Sequence, residues 1–144
     1  MKRQVGLPDG GAWSISAGLL VLRVVVAGSL LIKHGLEKVF RFHAMAQHFP
    51  DPVHIGPVPS LVFAMIGDFV CSLLLIFGFA TRWAALISFI NIFVAWSLVH
   101  HFAFFGRPGE HGELMVLYLG ALLTLMLTGP GRYSLDALRS KRRL

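Results

Sequence analysis

Ionisable side chains interrupt or border the long apolar stretches of this sequence, and their types suit proton exchange. A histidine and a carboxylate can hold and exchange protons, and a buried lysine or arginine beside them can donate hydrogen bonds to a ligand. We expect His34 and Glu113 to carry such chemistry and five further residues to bind its ligand. The predicted ligand-binding residues are Arg23, Lys38, Asp68, His100 and His101.

Three interpretations remain open from these residue types alone. The first is a site for the head group of a quinone, whose reduction needs electrons and protons together. The second is a divalent-metal site, in which His34, Glu113 and one histidine of the 100–101 pair bind zinc or copper. The third is a hydrogen-bonded polar cap at one end of a helical bundle. We assign no metal ligand and take quinone as the cofactor that these residues suit.

Two of the charges, Arg23 and Asp68, stand inside apolar runs. Each costs about 2.5 to 3.5 kcal/mol at membrane depth unless it is paired. Arg23 precedes His34 by about 16 Å of α-helix, and Asp68 is expected at a similar depth in the next run. We therefore predict an ion pair between Arg23 and Asp68. Asn91, in the third run, predicts one hydrogen bond between helices.

Four apolar runs are long enough to position these residues as transmembrane helices. Each approaches the ~20 residues that cross the hydrocarbon layer, and none carries the charged stripe that a surface helix needs. The sequence therefore predicts an all-α fold, a transmembrane four-helix bundle with antiparallel neighbours, as one domain over residues 1–144. The predicted helices are 12–34, 58–79, 83–102 and 113–129, followed by a basic tail at 132–144.

Lysine and arginine outside the runs predict the orientation of the bundle. More of them flank the two chain ends and the turn at residues 80–82 than flank the opposite side. Because positive flanks are retained in the cytoplasm, we expect cytoplasmic N and C termini in the inner (plasma) membrane. His34, Glu113 and the 100–101 pair would then share one level near the outer face, beside Lys38.

Composition excludes several functions. The chain is 56% hydrophobic and 14% charged, with a mean hydropathy of +0.71, which is typical of a membrane protein. The net charge of +6 is spread over membrane flanks, so no nucleic acid is expected as a partner. The single cysteine, Cys71, excludes an internal disulfide and a CxxC pair. The expected partners are the lipid bilayer, a redox partner subunit and a second copy of this chain.

Several stretches resemble the DoxX family of small four-helix membrane proteins. Arg23 followed by His34, Gly35 and Lys38 is similar to the family's R...HGxxK pattern. Residues 67–68 and 73–85 resemble its second helix and following turn, and 113–118 with 129–136 resemble its fourth helix and terminal signature. The likeness spans residues 19–136. Asp68 stands where a longer glutamate is common in the family.

The resemblance implies a membrane protein associated with redox and sulfur handling, since the family includes a subunit of an archaeal thiosulfate:quinone oxidoreductase. We therefore expect a subunit of a quinone-linked oxidoreductase whose buried polar site opens to the outer face. The chain has no recognisable ligand set for haem, flavin or an iron–sulfur cluster, so electron transfer would need a partner. The alternatives are a non-catalytic scaffold subunit and a carrier of metal ions or small molecules that uses the outer histidines.

Overall fold

The computed structural model describes residues 9–104 and 112–141, and within those ranges the chain is helical and contains no strand. This confirms the all-α prediction for the described residues. The α-helices are α1 (Asp9–Leu30), α2 (Leu36–Phe40), α3 (Phe42–Met45), α4 (Pro57–Met65), α5 (Cys71–Phe77), α6 (Thr81–Val94), α7 (Gly112–Thr128) and α8 (Leu135–Lys141). Three π-helical segments are π1 (Leu31–Gly35), π2 (Ile66–Val70) and π3 (Ala95–Val99).

Helices in direct succession form three segments that are long and apolar enough to cross a membrane. They are Gly11–Phe40, Pro57–Phe77 and Thr81–Val99, each containing an 18-residue stretch with a mean hydropathy of 2.3, 2.3 and 1.6, respectively. The fourth apolar helix, α7, has 17 residues. The first segment continues through π1 and α2 to Phe40, beyond the predicted end at residue 34. This extension places Arg23 in the first half of its segment, far from π1.

One half of the bundle has a closely packed core. Its central side chains are no more than 1% exposed and come from α5, α6 and α7, which pack together with α1. The small alanines of α6 let neighbouring helices approach closely, which is the usual basis of helix packing in membranes. These core residues are Leu75, Ala84, Ala85, Leu122 and Leu125.

A turn and the segment after α7 close this half of the bundle. Gly78 and Ala80 adopt left-handed backbone conformations, with φ of 67° and 46°, between α5 and α6. The Asp136 carboxylate accepts hydrogen bonds from the N–H groups of Ala80 and Thr81, at 2.9 and 3.0 Å, and so caps α6. The N–H of Asp136 donates to the Gly78 carbonyl at 3.0 Å. We call this half of the bundle, in which Arg23 is buried, the Arg23 end.

The opposite half, called here the Lys38 end, contains the three π segments. A π segment widens one turn of a helix and is frequent at functional sites. Glycines in two of them allow close approach. A Cβ on Gly35 of π1 would lie 2.6 Å from the Asp68 carbonyl oxygen of π2, and a Cβ on Gly67 of π2 would lie 2.8 Å from the Asn91 Cβ of α6. Asp68 is therefore held between π1 and α6.

Candidate functional site

Asp68 is the centre of a buried polar cluster at the Lys38 end. Lys38 Nζ donates to Asp68 Oδ2 at 2.7 Å, and Asn91 Nδ2 donates to Asp68 Oδ1 at 2.8 Å. Lys38 Nζ also donates to the His34 carbonyl at 3.4 Å. Asp68 and Asn91 are only 6% and 8% exposed. We call His34, Lys38, Asp68 and Asn91 the Asp68 cluster. Both carboxylate oxygens have partners, as a charge at this depth requires.

The Asp68 cluster forms one wall of a cavity of about 680 Å³. Binding sites for drug-sized ligands fall in this range, and they typically combine apolar walls with a few polar groups. Most of the residues that line this cavity are apolar, including Leu30, Trp96 and Met115. The cavity therefore suits a mostly apolar molecule with a few hydrogen-bonding atoms. Its other polar lining residues are Lys33, Ser60, His100 and Tyr118.

The loop between α3 and α4, residues 46–56, also lines the cavity and is held in place by Asp51. Asp51 Oδ1 accepts hydrogen bonds from the Ile55 N–H at 3.0 Å and Ser60 Oγ at 2.8 Å, and Oδ2 accepts one from the Gly56 N–H at 2.7 Å. Desolvation raises the pKa of the Asp51 carboxyl, but these bonds and the nearby His54 outweigh it and lower that pKa. We call this segment the Asp51 loop. Its cavity-lining residues are Phe49, Pro50, Pro52, Val53 and Ile55.

The predicted ion pair between Arg23 and Asp68 is wrong. Arg23 is fully buried at the Arg23 end, where it donates to the backbone carbonyls of Leu75 at 3.2 Å and Tyr133 at 2.5 Å. Asp68 pairs with Lys38 instead. The prediction placed Asp68 at the depth of Arg23 by taking the end of the first helix near His34. The helix continues to Phe40, and the residue that packs on Asp68 is Gly35, about 18 Å of helix away from Arg23. Arg23 is not among the cavity-lining residues.

The remaining predicted residues divide between the cavity and the surface. His34, Lys38, Asp68 and His100 line the cavity. Glu113 and His101 are exposed and are not among its lining residues, although Gly112 and Leu114 beside Glu113 are. His34 and His100 therefore line one cavity, whereas Glu113 and His101 face away from it. Adjacent residues on one helix or turn face different directions, so a sequence neighbour lines the cavity where Glu113 does not.

The other described histidines do not join the cluster. His43, His48 and His54 are exposed, and His111 lies outside the described residues. Among residues 9–104 and 112–141, no three histidine, cysteine, aspartate or glutamate side chains are grouped as a metal site requires.

Two parts of the site were not predicted. Asn91 makes the expected hydrogen bond between helices, but its partner is Asp68, which makes it part of the cluster. The Asp51 loop lies between the first two predicted helices and was not predicted to be part of the site. Its signal was an aspartate shortly before Gly56 and Pro57, a pattern in which a carboxylate accepts the free N–H groups at a helix start.

Comparison with known proteins agrees with this architecture. The DoxX family model matches residues 18–101, which contain the whole Asp68 cluster. This chain belongs to the DoxX family. A relative from Haemophilus influenzae, described as an uncharacterized protein, is 34% identical over 127 residues, which cover 85% of this chain and 83% of the relative. No solved structure matches. Family membership and the apolar helices make this DoxX-family chain a multi-pass membrane protein in a lipid bilayer.

Proposed function

We propose that this DoxX-family chain is a membrane subunit of a quinone-linked oxidoreductase and that its cavity binds the quinone head group. The observation that carries the proposal is a mostly apolar cavity with ammonium, amide and imidazole groups on its wall. A quinone ring is apolar and carries carbonyl oxygens that accept hydrogen bonds. Apolar walls with a few donors are therefore the chemistry that it requires.

Lys38 and Asn91 are the donors that would hold a quinone carbonyl. The Lys38 ammonium has three N–H donors, and its bonds to Asp68 and the His34 carbonyl account for two of them. The Asn91 amide has a second N–H besides the one that it gives to Asp68. Asp68 acts as a positioning residue, because its two oxygens fix the ammonium and the amide at one side of the cavity.

His34 is the residue that would exchange protons. His34 lines the cavity, is only half-buried and lies within the electrostatic influence of both Asp68 and Lys38. Imidazole is the side chain best suited to carry protons near neutral pH. A bound quinone would supply the redox chemistry, since it accepts electrons together with protons.

The electrons would come from a partner subunit. This chain has one cysteine, which cannot form the set of thiolates that holds an iron–sulfur cluster. We further propose antiparallel helices in the plasma membrane with both termini in the cytoplasm. Arg82, Arg132, Arg139 and Lys141 at the Arg23 end favour this orientation. The cavity would then lie toward the outer face.

The quinone content of the protein tests the proposal. Protein purified gently from its native membrane is extracted with solvent, and bound quinone is counted by mass spectrometry. We expect near-stoichiometric quinone in the unmodified chain and about tenfold weaker retention in Asn91→Leu, which loses a donor.

Quinone-dependent activity with the partner should fall in His34→Gln. His43→Gln is the matched control, because His43 is exposed and does not line the cavity.

Absence of quinone from folded, unmodified protein would overturn the proposal and would favour a non-catalytic scaffold subunit. Equal losses in His34→Gln and His43→Gln would show that the cavity is not the site. Size-exclusion chromatography of each variant separates lost binding from lost folding.

A further inference from the structure

The cavity reaches the face of the bundle that contacts lipid. Phe63 of α4 and Ile90 of α6 both line the cavity, yet they are 40% and 42% exposed. Each belongs to a segment that is long and apolar enough to cross a membrane. Two residues that are both exposed and cavity-lining mark an edge of the cavity within the hydrocarbon layer.

Helical spacing places both residues at the border between cavity and lipid. Ile66 follows Phe63 by one turn on the same face, and Phe93 follows Ile90 in the same way. Ile66 and Phe93 are exposed large apolar residues that are not among the cavity-lining residues. On each helix an exposed residue that lines the cavity therefore lies one turn from an exposed residue that does not.

The Asp51 loop borders the cavity at another edge, where Val53 and Ile55 are exposed as well. Apolar residues of this loop line the cavity, and the hydrogen bond from Ser60 to Asp51 holds the loop against α4. A ligand already dissolved in the bilayer meets only apolar side chains at Phe63 and Ile90.

We propose that the cavity opens to the bilayer beside Phe63 and Ile90, and that this opening, named here the Phe63–Ile90 opening, admits a membrane-dissolved ligand and holds its hydrocarbon tail. This inference rests on the proposed function and specifies its ligand as a long-tailed isoprenoid quinone. A cavity of about 680 Å³ suits a drug-sized molecule, so most of a long tail lies outside it. The tail runs through the opening into the bilayer while the head group remains at the Asp68 cluster.

Two quinones with the same head group test this inference, one without a tail and one with a long isoprenoid tail. Their equilibrium binding to the full chain in lipid nanodiscs is measured by dialysis and quantified by mass spectrometry. The plug variants Ile90→Trp and Phe63→Trp narrow the opening. The matched controls Phe93→Trp and Ile66→Trp place the same side chain one turn away on the same lipid-facing stripes.

In each plug variant we expect affinity for the long-tailed quinone to fall about tenfold relative to the control, while affinity for the tail-less quinone changes less than about twofold. Retained binding of the tail-less quinone also shows that the variant is folded. Unchanged binding of both quinones would overturn the opening, as would equal losses of both. If the unmodified chain binds neither quinone, the proposed function fails and the inference fails with it. Long-tail binding lost only in the plug variants is the supporting result.

Discussion

The two ends of the bundle bury charge in different ways. At the Arg23 end, the guanidinium donates to backbone carbonyls of α5 and of the segment before α8, within a closely packed core. At the Lys38 end, the Lys38–Asp68 ion pair borders a cavity. A buried charge needs partners in either place. At the Arg23 end the carbonyl partners fasten two segments together, whereas at the Lys38 end the paired residues line a cavity, where a ligand can reach their remaining donors.

The largest expected effect is at the Arg23 end, in Gly78→Ala. A Cβ at Gly78 would overlap Arg23 Nη1 and would lie 2.6 Å from Ser134 Cβ, and φ is +67°. Backbone strain and overpacking together should lower the free energy of unfolding by about 4 kcal/mol. The folded fraction after heating in detergent measures this by fluorescence-detected size-exclusion chromatography. Gly28→Ala is the matched control, since a Cβ there meets nothing within 4 Å. Equal stability of the two variants would contradict the packing role of the Arg23 end.

Sequence reasoning predicted the helices better than their contacts. Hydrophobic run length predicts a membrane helix, because the thickness of the hydrocarbon layer fixes the number of apolar residues. The same reasoning could not place Arg23 against Tyr133, since those residues meet only when the segment after α7 returns to α5. The same criterion also placed the end of the first helix too early. The apolar run stops at the polar residues His34 and Lys38, but the helix continues past them beside Asp68.

Part of the candidate site was likewise visible in the sequence. His34, Lys38 and Asp68 stood out as ionisable residues in an apolar context, and all three line the cavity. Glu113 stood out for the same reason but is exposed. Which side of a helix faces a cavity depends on how neighbouring helices pack. The π segments also change the direction in which the following side chains point, because they widen one turn of the helix. Residue type alone therefore cannot separate Lys38 from Glu113.

The next largest effect is expected at the Lys38 end. Lys38→Met leaves the buried Asp68 carboxylate without its cation, which should cost about 3 kcal/mol of unfolding free energy. Adding Asp68→Asn should recover part of that loss, because the uncompensated charge is removed. Arg41→Met is the control: the Arg41–Glu37 pair is exposed, so its loss should cost about 0.3 to 0.5 kcal/mol. Thermal unfolding in nanodiscs provides the measurement. If the double variant is no more stable than Lys38→Met alone, the loss does not come from an uncompensated Asp68 charge, and the ion pair is not what stabilises this end.

A smaller loss is expected when the cap of α6 is removed at the Arg23 end. Asp136→Ala takes away the acceptor of the Ala80 and Thr81 N–H groups, for an expected loss of about 1 to 2 kcal/mol. Asp136→Asn retains one acceptor oxygen and should lose less. Quinone binding, measured as above, should be unchanged in both variants, because Asp136 does not line the cavity. Lost quinone binding with unchanged stability would show that the two ends are coupled.

The smallest effect concerns the Asp51 loop and acid pH. The pKa of the Asp51 carboxyl is lowered in the folded protein from an ordinary value of 3.8. A lowered pKa means that the carboxylate stabilises the loop fully above the ordinary value and that this stabilisation is lost as pH falls through the folded-state pKa. The Ile55 and Gly56 amides, which bond to Asp51, should therefore lose protection from hydrogen exchange on acidification, after correction for intrinsic exchange rates. Asp51→Asn should show weaker protection already at neutral pH, and little further change with acid. The same acid-dependent loss in Asp51→Asn would assign the titration to another group, and the loop would then be held at the Lys38 end by its apolar contacts rather than by this carboxylate.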